Sequence, residues 1–547
     1  MPTDGQLNRN STIPAKLYFQ EGKGMLTRRE FISVPLLYLL ARNLEAFASD
    51  TPEVFPQGVA SGDPTQDSVV LWTRIEPKVH ESMKRDLVLE ISTKLDFSEV
   101  LQVRVPADRI NPSRDYTVKL TIDGLKPGGA YYYRFVYADV RSLTGRFKTL
   151  PVGSPEEFRF AFVVCQNYAD GYYSAFRHIS QEDLGFVVHL GDQIYEKIYR
   201  PPKVPGRDLN LPSGGRIALT LEDYLYLYIT YLSDKDYQLA RAMHPFIYIW
   251  DDHEYANDYS YDYEGGYYLL PRHPFYKKKA QSLALRRIAI QAWLAYTPAK
   301  VKVDLNSRDP LKWITIYRDF KVGDLLHLIC TDERSYRTPQ PCERRYADPG
   351  CPEQRRTSML GKEQKAWFFR KLEEKGYHWK VWANEVQFVQ GRVNGLFGSL
   401  DAWDGYAGER EEIIRFLESK AINNLVIITG DRHAGLVAEV PNKFEGDYQK
   451  VLAMEFMTPA LSSISAAETT WWRDYGISNH VEFAQAEKNQ NPWTKYLEHK
   501  IWGYSVLTLT KDRAVGEMFF VDKYRKDAER ERAVRAVYER GKPITLL

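Results

Sequence analysis

The sequence predicts an α/β fold in two parts, a β-sandwich over residues 50–150 and a larger α/β domain over 156–523. Three observations predict it. Short alternating strands with turn signals at near-regular spacing fill the first part, which is the pattern of a sandwich. In the second part, apolar runs of strand length alternate with stretches of helical spacing. Several of those runs stop at residues able to bind a metal, where open α/β sheets place their active sites.

A chain of 547 residues can hold two or three domains and bury a large core. Charged residues make up 27% with a formal net charge of +2, so no global field favours nucleic acid or an acidic membrane. The basic clusters Lys277–Lys279 and Arg286–Arg287 read as solvated helix faces. The high aromatic content, with 37 Tyr, is assigned to cores and not to a ligand. Four Cys are too few for a disulfide scaffold. Cys342 and Cys351 flank the loop PCERRYADPGCP and are expected to bridge in an oxidising compartment, while Cys330 reads as a plain buried thiol.

Residues 1–48 read as an export leader. Thr27-Arg28-Arg29-Glu30-Phe31-Ile32 sets a twin arginine before the apolar segment Phe31–Ala41, and Ala46-Phe47-Ala48 has the form of a cleavage site. The other reading is an ordinary amphipathic helix containing RR. An export leader implies the twin-arginine machinery, a bacterial source and a periplasmic or secreted location. The apolar run is about ten residues where a spanning helix needs roughly 20, so no stable membrane span is expected. Residues 1–24 read as disordered, with Met25 as an alternative start.

The sandwich strands are Ser68–Arg74, Asp86–Thr93, Val100–Val105, Thr117–Ile122 and Ala130–Tyr137. Turns such as Ser61-Gly62-Asp63-Pro64 and Lys126-Pro127-Gly128-Gly129 part them. The stretch Leu125–Phe135 is similar to those of immunoglobulin- or fibronectin-like folds. With no clustered His, Cys or Asp, this part is assigned a structural or docking role, and Pro151–Pro155 is read as a linker.

The second part is organised around residues 158–196. Phe160–Val164 and Phe186–Leu190 suit buried strands, and Tyr172–Leu184 between them has helical spacing, so the unit is a parallel strand–helix–strand. Further strands are Phe246–Trp250, Leu325–Cys330, His378–Ala383 and Leu425–Thr429, with loops converging at one sheet edge. Helical stretches include Leu221–Tyr231, Lys279–Tyr296, Lys362–Lys375 and Glu409–Lys420. Gly503–Thr510 and Ala514–Val521 form a hairpin, and the tail 524–547 carries a charged helix over Tyr524–Arg540.

Cys165, Asp192, Tyr195, Asp252, Asp431 and His433 all follow apolar strands. A thiolate, a phenolate and an imidazole suit a transition metal, and phenolate especially favours trivalent iron. Asp252 and Asp431 are hard donors suited to calcium, magnesium or manganese, and Asp192 is placed to bridge both ions. Two metals about 3.5–4 Å apart clamp the attacking and leaving oxygens of an in-line displacement and acidify a bound water. A dinuclear phosphoester hydrolase follows. His253 suits a general acid, with Glu254 holding its other ring nitrogen. Arg334, Arg337 and Arg432 are candidates to grip phosphate oxygens, Arg334 foremost. His189 reads as a core histidine.

This set resembles the PhoD-like alkaline phosphatases, the alkaline phosphatase D branch of the calcineurin-like metallophosphoesterases. The matching blocks are CQNYADGYYSAFRHI, VVHLGDQIYE, WDDHEYANDY, LGKEQKAWF, DAWDGYAGERE and LVIITGDRHA, in order. QGVASGDPTQDSVVLWTRI is similar to that family's leading domain, so the resemblance covers residues 50–520. It implies an immunoglobulin/fibronectin-like sandwich followed by a metallophosphoesterase α/β sandwich. The superfamily's D-x-H, G-N-H-E and G-H-x-H are replaced by Cys165-Gln166-Asn167, Asp251-Asp252-His253-Glu254 and Gly430-Asp431-Arg432-His433. Those departures imply Fe3+ with Ca2+ in place of a Zn2+ or Mn2+ pair. By resemblance Cys165, Asp192, Tyr195 and His433 hold iron, while Asp192, Asp252 and Asp431 hold calcium. Asn384 falls where the superfamily often places another metal-ligating His, and Arg432 where a small apolar residue is more usual. In the family a C-terminal helix can cover the active site, which would make Tyr524–Arg540 a gate.

The expected function is a secreted metal-dependent hydrolase of phosphate monoesters, diesters or both, acting through a metal-activated hydroxide and serving phosphate scavenging. The resemblance also implies an alkaline optimum. The alternative is an exported, non-catalytic surface-binding protein with a structural metal site. The intact His253 and complete ligand set favour the enzyme.

Overall fold

The apolar runs of the catalytic half divide between two sheets, which corrects the expectation of one sheet edge. The computed structural model describes residues 28–47 and 51–547, with side chains from Leu36 onward. One sheet has ten strands, with Glu157–Val163, Val187–His189 and Pro245–Tyr248 in parallel at its middle. The other has seven, with Leu326–Cys330, Trp379–Ala383, Leu425–Thr429 and Val451–Met457 in parallel. Apart from the first three residues of Glu157–Val163, these strands are buried on both faces, which is why they read as unbroken apolar runs.

The two sheets face each other. Phe162 and Phe456 meet edge-on at 5.9 Å, and the Trp379 indole donates to the Thr510 carbonyl at 2.6 Å. Helices cover the outer faces. On the ten-stranded sheet, Phe176 stacks on Tyr237 at 4.3 Å, joining helices Ser174–Ser180 and Lys235–Met243. On the seven-stranded sheet, Phe368 of helix Gly361–Glu373 packs on Trp382, beside Ile413 and Leu417 of helix Ala407–Ser419. The result is helices, sheet, sheet, helices, the α/β sandwich expected.

The N-terminal part is a sandwich, but one of its sheets is shared. Leu87–Ser92, Leu101–Val105 and Ala130–Tyr137 form a separate five-stranded sheet with two shorter partners. It packs on Val59–Gly62, Val69–Arg74 and Thr117–Ile122 through a core including Leu71, Leu89, Tyr133 and Phe135. Those three strands extend the ten-stranded sheet, because Val59–Gly62 pairs in parallel with Pro245–Tyr248. The expected linker is tied down as well, with Gly323 N–H donating to the Pro151 carbonyl at 2.9 Å.

Two expectations about single segments need correction. The tail is not a helix: Arg530–Glu539 is a strand paired antiparallel with Arg513–Val521, its Val534, Ala536 and Tyr538 turned into the core. Alternating apolar residues decided the outcome over the high charge, because every second residue meets the core. Arg286 is no solvated charge either. It is buried, with its guanidinium 4.2 Å from the Trp250 ring and among Tyr255, Tyr259 and Tyr267. Residues 28–46 form a helix, and its described side chains lie on the body. Leu36, Leu39 and Leu40 pack on Leu239 and Met243, and the Asn43 amide pairs with both backbone groups of Thr144.

The expected disordered start, residues 1–24, and the end of the cleavage site at Ala48 lie outside the described residues. No described helix is long and apolar enough to cross a membrane. Cys342 and Cys351 form the expected disulfide, and Cys330 is a buried free thiol.

Candidate functional site

At the carboxyl ends of the parallel strands the chain turns sharply. Cys165, Asp192, Asp431 and His433 all take left-handed backbone, with φ of 54°, 56°, 62° and 59°. Side-chain-bearing residues adopt that region rarely, and such positions concentrate at functional sites. Two glycines allow the strand ends to meet. A Cβ on Gly191, itself at φ 109°, would lie 2.3 Å from the Asp251 nitrogen, and one on Gly430 would lie 2.7 Å from Val164 in the facing sheet.

The six predicted ligands come together there. One group of mutually close donors is Cys165, Asp192 and His433; another is Asp192, Asp252 and His253; a third is Asp251, Asp252 and Asp431. Asp192 belongs to two of the three. Its Oδ2 accepts from Cys165 Sγ at 3.3 Å and from the Tyr195 hydroxyl at 2.8 Å. The Tyr195 oxygen is 3.3 Å from His433 Nε2 and accepts from Ser463 Oγ at 2.8 Å. Asp251 was not assigned a role from the sequence, yet it closes the carboxylate cluster.

This donor set fits metal ions. Burial, then the neighbouring Asp192 and Asp431 charges, pushes the Cys165 thiol well above its usual range. Burial likewise raises the Asp192 and Asp431 carboxyls, with other carboxylates adding to it. Burial and the His253 charge push His433 down to about 3, leaving a neutral imidazole able to ligate. Asp251 Oδ2 and Asp252 Oδ1 are buried without a hydrogen-bond partner among the described residues. Crowded, buried and partly unsatisfied anions of this kind are stable around cations.

His253 lies at the same pocket, but Glu254 does not hold it. Glu254 instead accepts from the backbone N–H groups of Asp192, Gln193 and Asp251, locking two strand ends together. The ring nitrogen Nδ1 is 2.5 Å from Glu196 Oε2, and Tyr195 packs on the ring at 4.1 Å. Burial opposes a charge on His253, but Asp252, Glu196 and Asp192 outweigh it and raise its pKa well above 6.5. Glu196 was missed; the signal available was its place ending GDQIYE, four residues past Asp192.

The three arginines expected to grip phosphate are each already paired with a carboxylate. Arg334 is fully buried and spends its nitrogens on Asp251, on Asp401 at 2.5 Å and on Asp431 at 2.9 Å. Arg337 is bound to Asp401 and to the Tyr259 carbonyl. Arg432 is held by both oxygens of Glu487 and by Gln387. With three carboxylates around it, Arg334 is placed as a counter-ion that positions Asp431. Asn384 is buried, its amide spent on the Val386 carbonyl and the Trp403 indole. His189 is a core histidine, bonded to Gln166 and pushed down to about 3 by burial.

Asp192, Asp252, His253, Asp431 and His433 line one pocket of roughly 100 Å3. Its outer wall comes from residues the sequence reading passed over, between Ala466 and Phe483.

Residues 160–518 match the family model described as PhoD-like phosphatase, and residues 41–151 match that of the PhoD-like phosphatase N-terminal domain. The chain belongs to the PhoD-like phosphatase family. Alkaline phosphatase D of Bacillus subtilis (strain 168) is 34% identical over 423 residues, 75% of this chain and 69% of that protein. A solved structure of PhoD superposes with a TM-score of 0.77 at 28% identity, covering 90% of this chain and 92% of the other. As a PhoD-like phosphatase the protein is a hydrolase of phosphoric ester bonds, and its clustered donors are groups that could hold metal ions.

Proposed function

We propose that this PhoD-like phosphatase is exported and hydrolyses phosphate monoesters, diesters or both, with His253 as general acid. The observation that carries the reading is Asp192, shared between the donor group with Cys165 and His433 and the one with Asp252 and His253. Cys165, Asp192, Tyr195 and His433 would hold Fe3+, and Asp192, Asp252 and Asp431 would hold Ca2+; Mn2+ or Zn2+ are the alternatives. Such ions supply a nucleophile at neutral pH and charge to match the phosphoryl oxygens.

The chain's own side chains do the rest. Glu196 fixes the His253 ring through Nδ1, leaving Nε2 as the nitrogen to protonate the departing alkoxide. Arg334 keeps Asp431 in place and balances part of the carboxylate charge. Export by the twin-arginine machinery rests on Arg28-Arg29 and suits the Cys342–Cys351 disulfide, which needs an oxidising compartment.

Elemental analysis of natively purified protein, with turnover of an aryl monophosphate and of its bis-aryl ester, tests the reading. Iron and calcium bound together with hydrolysis of at least one ester is the expected result. Metal-loaded protein that cleaves neither would overturn it. Changing Arg28-Arg29 to Lys-Lys should leave the protein in the cytoplasm.

A further inference from the structure

Part of the pocket's lining is aromatic. Tyr346 and Trp471 lie with ring centroids 5.5 Å apart and planes 11° from parallel, both partly exposed and both lining the pocket. Tyr475 and Phe483 follow, 4.9 Å apart. Near-parallel rings at 5.5 Å are offset, which leaves part of each face open to a third ring. These residues come from the disulfide-bridged loop, the segment before helix His480–Gln490 and that helix itself, so neither sheet has to move to shape this wall.

Charge points the same way. Among the described residues lining the pocket, Arg432 is the only Lys or Arg. Its guanidinium is already engaged by both oxygens of Glu487 and by Gln387. Asp258 adds a further carboxylate to the lining. A second anionic group on a substrate therefore meets no unpaired Lys or Arg of this lining, while a flat uncharged ring meets aromatic faces.

We infer that this wall is a subsite for a planar, uncharged organic group of the ester, as in aryl or nucleobase-bearing alcohols, with Trp471 and Tyr346 as specificity-determining residues. The inference rests on the phosphoesterase reading above. It explains why Arg432 stands where its family pattern would favour a small apolar residue: paired with Glu487, it anchors helix His480–Gln490 beside the site.

Steady-state kinetics on phenyl phosphate, glycerol 1-phosphate and 3-phosphoglycerate test it. Wild-type kcat/KM is expected to fall in that order. Trp471→Ala should raise KM for phenyl phosphate about tenfold more than KM for glycerol 1-phosphate, the scale of one lost stacking face, with kcat little changed. Trp471→Phe should recover most of the difference. Tyr346→Leu provides the same comparison if Trp471→Ala does not fold. Equal changes of KM on both esters, with wild-type turnover intact, would overturn the inference. Failure of the wild type to hydrolyse any of the three would overturn the phosphoesterase reading instead.

Discussion

An imidazole that hands a proton to an alkoxide must be charged when the bond breaks, and Asp252, Glu196 and Asp192 favour the charged form of His253. Glu196→Gln retains an acceptor for Nδ1 but removes the charge. Turnover of alkyl phosphates, whose leaving groups need a proton, should drop about a hundredfold. Aryl phosphates with good leaving groups should lose much less, and equal losses in steady-state assays would take Glu196 out of proton transfer. His244 shows the same physics without a function. Burial, helped by Arg146, pushes it down to about 3, while its Nε2 bonds the Ile179 carbonyl at 3.0 Å. In the unfolded chain it titrates near 6.5. Below that pH the unfolded chain takes a proton that the folded one refuses until about pH 3, so stability present above pH 6.5 is lost as pH falls. His244→Gln should therefore remove up to about 1.4 kcal/mol of acid sensitivity per pH unit, read as urea midpoints at pH 7 and 5. The six candidate metal donors were legible because each follows an apolar strand. The partners of His253 and Arg334 were not, since a local pattern shows charge but not which distant carboxylate meets it.

Elements with one period and clear ends were read almost to the residue. Lys279–Tyr296 and Leu425–Thr429 fold as predicted because their spacing and buried faces agree. Lys235–Met243 and His480–Gln490 were missed although Asp234 and Asn479 cap their first turns. Both are short and poor in aliphatic residues, so composition hid what the caps announced. At the C-terminus the charge of Arg530–Glu539 suggested a helix, yet Val534, Ala536 and Tyr538 sit two apart and face the core. A gate made from this segment is therefore ruled out by its place in the sheet. Truncation after Val521 should leave activity toward bulky esters no higher. It should lower the melting temperature, because Arg513–Val521 loses its outer neighbour and becomes an unpaired edge. A faster, equally stable truncated enzyme would contradict this placement.

Across the whole molecule, the decisive pairing joins residues that no local window sees together. Ser61 and Gly62 lie beside Pro245 and Phe246, which makes the N-terminal strands a continuation of the catalytic sheet. Arg318 reinforces the seam by binding Asp63 at 2.6 Å, and the Trp72 indole donates to the Ala295 carbonyl at 2.7 Å. Both are contacts that a separate docking module would not make. Residues 156–547 expressed alone would leave Pro245–Tyr248 as a bare apolar edge and Arg318 without its carboxylate. Edges of that kind pair with other chains, so the fragment should aggregate or stay unfolded. The full chain, by the same argument, should melt in one calorimetric transition with metal content and secondary structure lost together. Two transitions, with the isolated fragment folding and binding metal, would mean that the shared sheet adds little and that the sandwich is an independent domain.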